Sequence, residues 1–130
     1  PVPTIADCLG ALPICGVNDL QTIAPSGSGN YADIFPASAC NVIDNNSVWY
    51  VFDVTTSGNL NFNLNSTPLT NNYNWSLLDI TGLDCSTLSS ATTVSCNGFW
   101  GSGPTGISTA NGGTNNIENL KQQEREKRRK

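Results

Sequence analysis

Residues 45–65 read NNSVWYVFDVTTSGNLNFNLN, and their apolar residues recur with period two. In the first half Val48, Tyr50, Phe52 and Val54 share one face, with Ser47, Asp53 and Thr55 on the other. In the second half Leu60, Phe62 and Leu64 alternate with Asn59, Asn61, Asn63 and Asn65. This alternation puts one face in a core and the other in water. Thr56, Ser57, Gly58 and Asn59 are turn residues, Gly58 tolerating positive φ, so the stretch predicts two strands joined by a tight turn. The aromatic inner face then needs a second layer to cover it.

The flanks extend the same pattern. Residues 73–81 (YNWSLLDIT) predict another strand, whose apolar phase jumps at Leu77–Leu78 as a β-bulge would make it. Residues 91–96 (ATTVSC) predict a short strand, with a loop holding Cys85 before it and a Gly-rich loop over 97–108 after it. Residues 1–16 carry two cysteines and an apolar patch of Leu9, Ala11, Leu12 and Ile14, which suits either one helical turn or an edge strand pinned by a disulfide. Tyr31, Ile34 and Phe35 are expected in the core, below a turn cluster at 25–30. Short strands separated by turn signals imply an all-β, jelly-roll-like antiparallel β-sandwich. A chain of 130 residues has room for one such domain.

Charge separates the chain into two parts, residues 1–116 and 117–130. All six basic residues lie in the last ten positions, and residues 1–117 hold seven Asp and no Lys, Arg or Glu. The body therefore carries −7 and residues 118–130 carry +3, which gives the net −4. Such a body has no basic face with which to neutralise phosphates, which excludes nucleic acid as a partner. No apolar run approaches the ~20 residues of a membrane span. The segment from Ile117 has helix formers and Glu124 at helical spacing from Lys127 and Arg128, but its apolar residues are Ile117 and Leu120 alone. A helix there is marginal without a surface to hold it, so the segment is expected to be helical or extended, and ordered by a partner or neighbouring subunit if at all.

Five cysteines in a chain of this size point to an oxidising compartment. With no His and no CxxC spacing, a zinc site is not expected. Cys85 with Cys96, and Cys15 with Cys40, are the pairs expected, which leaves Cys8 over. The first residue is Pro1, so either a leader has been removed or the chain is a piece of a longer protein.

Catalytic chemistry finds little support. The absence of His removes Ser/His and Cys/His catalysis. A carboxylate pair for glycoside hydrolysis would have to come from Asp44, Asp53, Asp79 and Asp84, of which Asp53 and Asp79 read as solvent-facing. No resident cofactor is implied. Ca²⁺ is the ion to consider, with Asp44, Asp79 and Asp84 as ligands, although Asx residues in loops more often form turns. Phe99 and Trp100 are the candidate binding residues, since Trp49 and Trp75 fall on strands and read as core. Asn45, Asn65 and Asn74 open N-glycosylation patterns that also arise by chance in an Asn-rich chain.

The order DCLGALPIC, SVWYVFDVTTSGNLNFNLN, NNYNWSLLDITGLDCS, VSCN and GPTGIS resembles an adhesin-like, gliding-motility-associated domain of Bacteroidetes surface proteins carried by type IX secretion. The likeness covers roughly residues 6–109, and the WY-x-F strand with its SG turn is also similar to pre-peptidase C-terminal domains. Both resemblances imply a jelly-roll-like sandwich serving as a non-catalytic module. The family's Asp-Tyr-Asp-Trp is Asn72-Tyr73-Asn74-Trp75 here, which removes two charges and weakens any inherited metal site. The family also continues with further strands where this chain turns basic. The resulting expectation is an extracellular, cell-surface adhesion or interaction module whose partners are other protein subunits or surface glycans. The alternatives are a homo-polymeric filament or sheath subunit completed by strand or tail exchange, and a carbohydrate-binding accessory domain.

Overall fold

The computed structural model describes residues 1–16, 26–40, 43–57, 60, 62–65, 67, 71, 73–98 and 105–107, and the backbone of 127–129. Its elements are mostly strands: β1 (Leu12–Pro13), β2 (Tyr50–Phe52), β3 (Phe62–Leu64), β4 (Trp75–Asp79), β5 (Thr92–Asn97), β6 (Thr105–Ile107) and β7 (Lys127–Arg129). Two short 3-10 helices, Cys8–Gly10 and Cys85–Ser90, complete them. The strands form a five-stranded sheet in the order β1-β2-β7-β4-β5 and a separate pair, β3-β6. All pairings are antiparallel except β1 with β2. Among the described residues strands predominate, consistent with the all-β class that the alternation implies.

β4, which lies between β7 and β5, has all five of its residues buried. Its two faces feed two different cores. Leu78 and the following Ile80 join Cys8, Phe35, Ala39, Trp49, Leu88 and Ala91 on one side. Trp75 and Leu77 join Ile107 on the other, where Phe52, Leu60, Phe62 and Val94 pack against them. The pair β3-β6 thus lies over one face of the five-stranded sheet, with Phe62 edge-on to Trp75 at 5.0 Å between ring centres. The 3-10 helices and residues 35–39 cover the other, where Phe35 tilts against Trp49 at 5.7 Å. Trp49 and Trp75 are both core residues, as their strand positions predict.

Several expectations are corrected. The strands within 45–65 exist, yet they do not pair with one another: β2 enters the large sheet and β3 pairs with β6. A ladder irregularity does fall at Leu77/Leu78, where Leu77 faces Ser95 and Leu78 faces Thr93, so the extra residue is Val94 on β5. The phase jump on β4 itself has another cause, burial of both faces in two cores. Of the three residues expected inside at 31–35, Phe35 is buried and Ile34 is 69% exposed. The segment before β5 is helical because Asp84 caps it: its carboxylate accepts the Ser86 and Thr87 backbone N–H groups, and Thr87 Oγ1 accepts the Asp84 N–H at 3.1 Å. The basic segment contributes an extended strand, where sheet pairing supplies hydrogen bonds that a helix with no buried face could not secure against water. The Gly58–Asn59 turn and residues 117–126 of the helical reading lie outside the described residues.

The disulfides are Cys8–Cys85 and Cys40–Cys96, and Cys15 is free and exposed. The expected pairs Cys85–Cys96 and Cys15–Cys40 are therefore wrong. Cys85 opens the second 3-10 helix and meets Cys8, 5.8 Å away between Cα atoms, whereas Cys96 lies within β5 and meets Cys40. Cys15 follows β1 at the sheet's edge, while Cys40 lies beside β5 at the opposite edge, 5.7 Å from Cys96 between Cα atoms. Two disulfides suggest an oxidising, extracellular or secreted environment. No helix among the described residues is long and apolar enough to cross a membrane.

Candidate functional site

The feature of this fold without a routine structural explanation is the middle of the large sheet. β2 and β4 both run antiparallel to β7, hence parallel to each other, and they touch in the ladder only through it. Without β7 they would flank a slot about 10 Å wide, twice the interstrand spacing, with unpaired N–H and C=O groups on both walls. β7 meets both walls over three residues. Arg129 registers with Tyr50 and Leu77, Arg128 with Val51 and Leu78, and Lys127 with Phe52 and Asp79.

Covalent and packing restraints fix both walls independently of β7. On the β2 side, Leu12 and Ile14 donate backbone N–H groups to Trp49 and Val51, and Trp49 donates to Ile5. This ties residues 5–14 to β2, and Cys8 within that segment is bonded to Cys85, which follows β4. The disulfide therefore straps one wall to the other. Trp49 and Leu78 share one core, and Phe52 and Leu77 share the other, so side chains of both walls meet above and below the slot. The two walls are thus tied to each other by contacts that do not run through β7.

The outer edges are treated differently. Because Leu12 and Ile14 point their N–H groups inward to β2, the position facing outward on β1 is Pro13, which has no N–H to offer. On the other edge, residues 36–40 lie alongside β5. The Cys40–Cys96 bridge and a 2.8 Å contact between the Ser38 and Thr93 hydroxyls hold them there. Both edges are blunted against further pairing.

Of the carboxylates singled out from the sequence, Asp53 is exposed, as expected, and Asp44, Asp79 and Asp84 have structural work instead of meeting at one place. Asp44 accepts the Asp33 N–H at 3.0 Å, and Asp33 accepts the Cys8 N–H at 2.9 Å. Asp79, expected at the surface, is 6% exposed and accepts both the N–H and the hydroxyl of Thr81. Asp84 is the helix cap, and hydrogen bonds led by the Ser86 hydroxyl hold its pKa below the ordinary value. Among the described residues no group of three or more His, Cys, Asp or Glu stands together for a metal ion. Asp44, Asp79 and Asp84 are not brought together for Ca²⁺. Phe99 and Trp100 lie outside the described residues.

Nothing in the sequence singles out Asp7. It is fully buried, and its carboxylate accepts from Thr4 N–H at 2.7 Å, Thr4 Oγ1 at 3.1 Å, and the Asn30 and Tyr31 N–H groups at 2.9 Å. Burial pushes its pKa up, and these donors together outweigh that and hold it below the usual Asp value. Asp7 thereby locks residues 30–31 onto the segment that carries Cys8 and β1. The chain matches no family model, no curated protein and no solved structure.

Proposed function

We propose that this chain is a non-catalytic adhesion or interaction module of an extracellular bacterial surface protein, a β-sandwich that engages its partner by β-strand addition. The observation that carries this reading is the position of β7: a three-residue strand from the basic segment fills the centre of a sheet whose outer edges are both blunted. Strand addition derives affinity from main-chain hydrogen bonds and selectivity from alternate side-chain positions. The two disulfides support an extracellular setting, and the structural use of Asp7, Asp33, Asp44, Asp79 and Asp84 favours binding over acid–base chemistry.

Arg128→Pro in the full chain removes the backbone N–H at the middle of β7 and weakens its hold on the slot. A fluorescent peptide of residues 121–130 is then expected to bind the variant saturably, and the parent chain at least tenfold more weakly. Equal binding to both chains, or none to the variant, rules out a strand slot.

A further inference from the structure

We infer that the slot is filled between copies, residues 127–129 of one chain pairing with β2 and β4 of a second. This rests on the strand-slot reading and names its partner. Every copy carries both the acceptor walls and the donor strand, so the surface is self-complementary by construction. Nineteen residues separate Ile107 from Lys127. At about 3.3 Å per extended residue they reach some 60 Å. A folded unit of this size is only about 35 Å across, by the usual scaling of radius with length. The donor can therefore reach a neighbour's slot as well as its own.

Charge favours the exchange. Two bodies of −7 repel, and residues 1–117 contain no cation to relieve that. The +3 segment is the one part of the chain able to bridge them. Donor and slot are different surfaces, so the contact is heterologous and propagates into an open chain unless two copies exchange reciprocally. Pairing in cis is intramolecular, with an effective concentration on the order of millimolar. Exchange between copies thus belongs to dense arrays, such as a crowded cell surface, and dilute chains close on themselves.

The test uses the full chain with Cys15→Ser. One preparation carries Val51→Cys and a second carries Arg128→Cys, positions that face each other in the ladder. The two are mixed near 1 mM, released by mild denaturant, returned to buffer, oxidised and run on a non-reducing gel. A covalent dimer containing one chain of each kind, in more than about a tenth of the protein, is the expected result. The double variant in a single chain is the control. If it closes internally while the mixture gives no dimer, the strand stays in cis and exchange is overturned with the slot intact. If neither forms a cross-link, and the Tyr50→Cys/Arg129→Cys pair also fails, the slot itself is wrong.

Discussion

Opening the Cys8–Cys85 bridge is the perturbation most exposed to measurement, because it tests both the corrected pairing and the strap across the slot. The bridge closes a loop of 77 residues. The entropy of restraining such a loop in the unfolded chain corresponds to about 4.5 kcal/mol. Cys40–Cys96 already shortens the path between Cys8 and Cys85. Running through that bridge the loop is roughly 43 residues, and the logarithmic dependence lowers the effect only to about 4 kcal/mol. A chain of this length has a total stability of about 7–20 kcal/mol, so the loss is a large share of it. The melting temperature should fall by roughly 15 °C.

The assay is guanidinium denaturation of Cys8→Ala/Cys85→Ala beside the parent chain, both with Cys15→Ser. Proteolysis without reduction should meanwhile release one peptide pair joining Cys8 to Cys85 and another joining Cys40 to Cys96. A stability loss below about 1 kcal/mol would contradict the loop-entropy argument. A recovered Cys85–Cys96 peptide would overturn the pairing and with it the strapped slot.

Three other outcomes follow from particular residues. Asp7→Asn gives two N–H donors and one acceptor to a pocket of donors, and should cost about 1–3 kcal/mol at pH 7. Since the folded pKa of Asp7 lies below its ordinary value, its contribution is complete above about pH 4, the unfolded pKa, and is lost as pH falls through the folded one. Urea midpoints should therefore drop in acid more steeply for the parent than for the variant. Gly106 has φ +152°, and a Cβ there would strike the Phe62 carbonyl on β3. Gly106→Ala should cost about 1–3 kcal/mol, with the near-ultraviolet circular dichroism of Trp75 lost first on heating. Cys15→Ser, at an exposed position outside both bridges, should leave stability within about 0.5 kcal/mol and abolish any reductant-sensitive dimer of the parent chain.

What could be read from residues alone was local. Alternation located β2, β3, β4 and β5, and the buried tryptophans followed from strand position. Pairing was not legible. The Thr-Ser-Gly-Asn turn signal is the same whether the next strand folds back on its neighbour or crosses to another sheet, and here β3 crosses to meet β6. Cysteine spacing carries no connectivity, so nothing in the sequence marks Cys8, the buried half of the strap, as bonded. Asp7 looked like any loop aspartate, because its four donors come from residues 4, 30 and 31 and the last two converge only in the fold. Asp79 read as solvent-facing because a strand was assumed to have one wet face, and β4 has none. The basic segment was legible as incompatible with a buried helix, but not as the missing strand.

A strand in the centre of a five-stranded sheet is normally its most apolar, since it is flanked by buried neighbours on both sides. Here the flanking residues follow that rule: Leu77 and Leu78 are buried and Val51 and Phe52 are half-buried. The strand between them reads Lys-Arg-Arg. A sequence selected only to complete its own core would place Val or Ile at these positions, and the domain would gain stability from doing so. The register of β7 with β2 and β4 is a backbone pairing, and a run of cations in place of apolar residues makes for a strand that can be released. Edges sealed by Pro13 and by Cys40–Cys96, beside a centre closed by a releasable strand, reverse the usual order of protection in a sheet. Replacing Lys127 and Arg129 with Val should then lock the strand in place, raising thermal stability while abolishing both peptide capture and exchange between copies. If the valine variant exchanged as readily as the parent chain, release of β7 would not be what the cations are for.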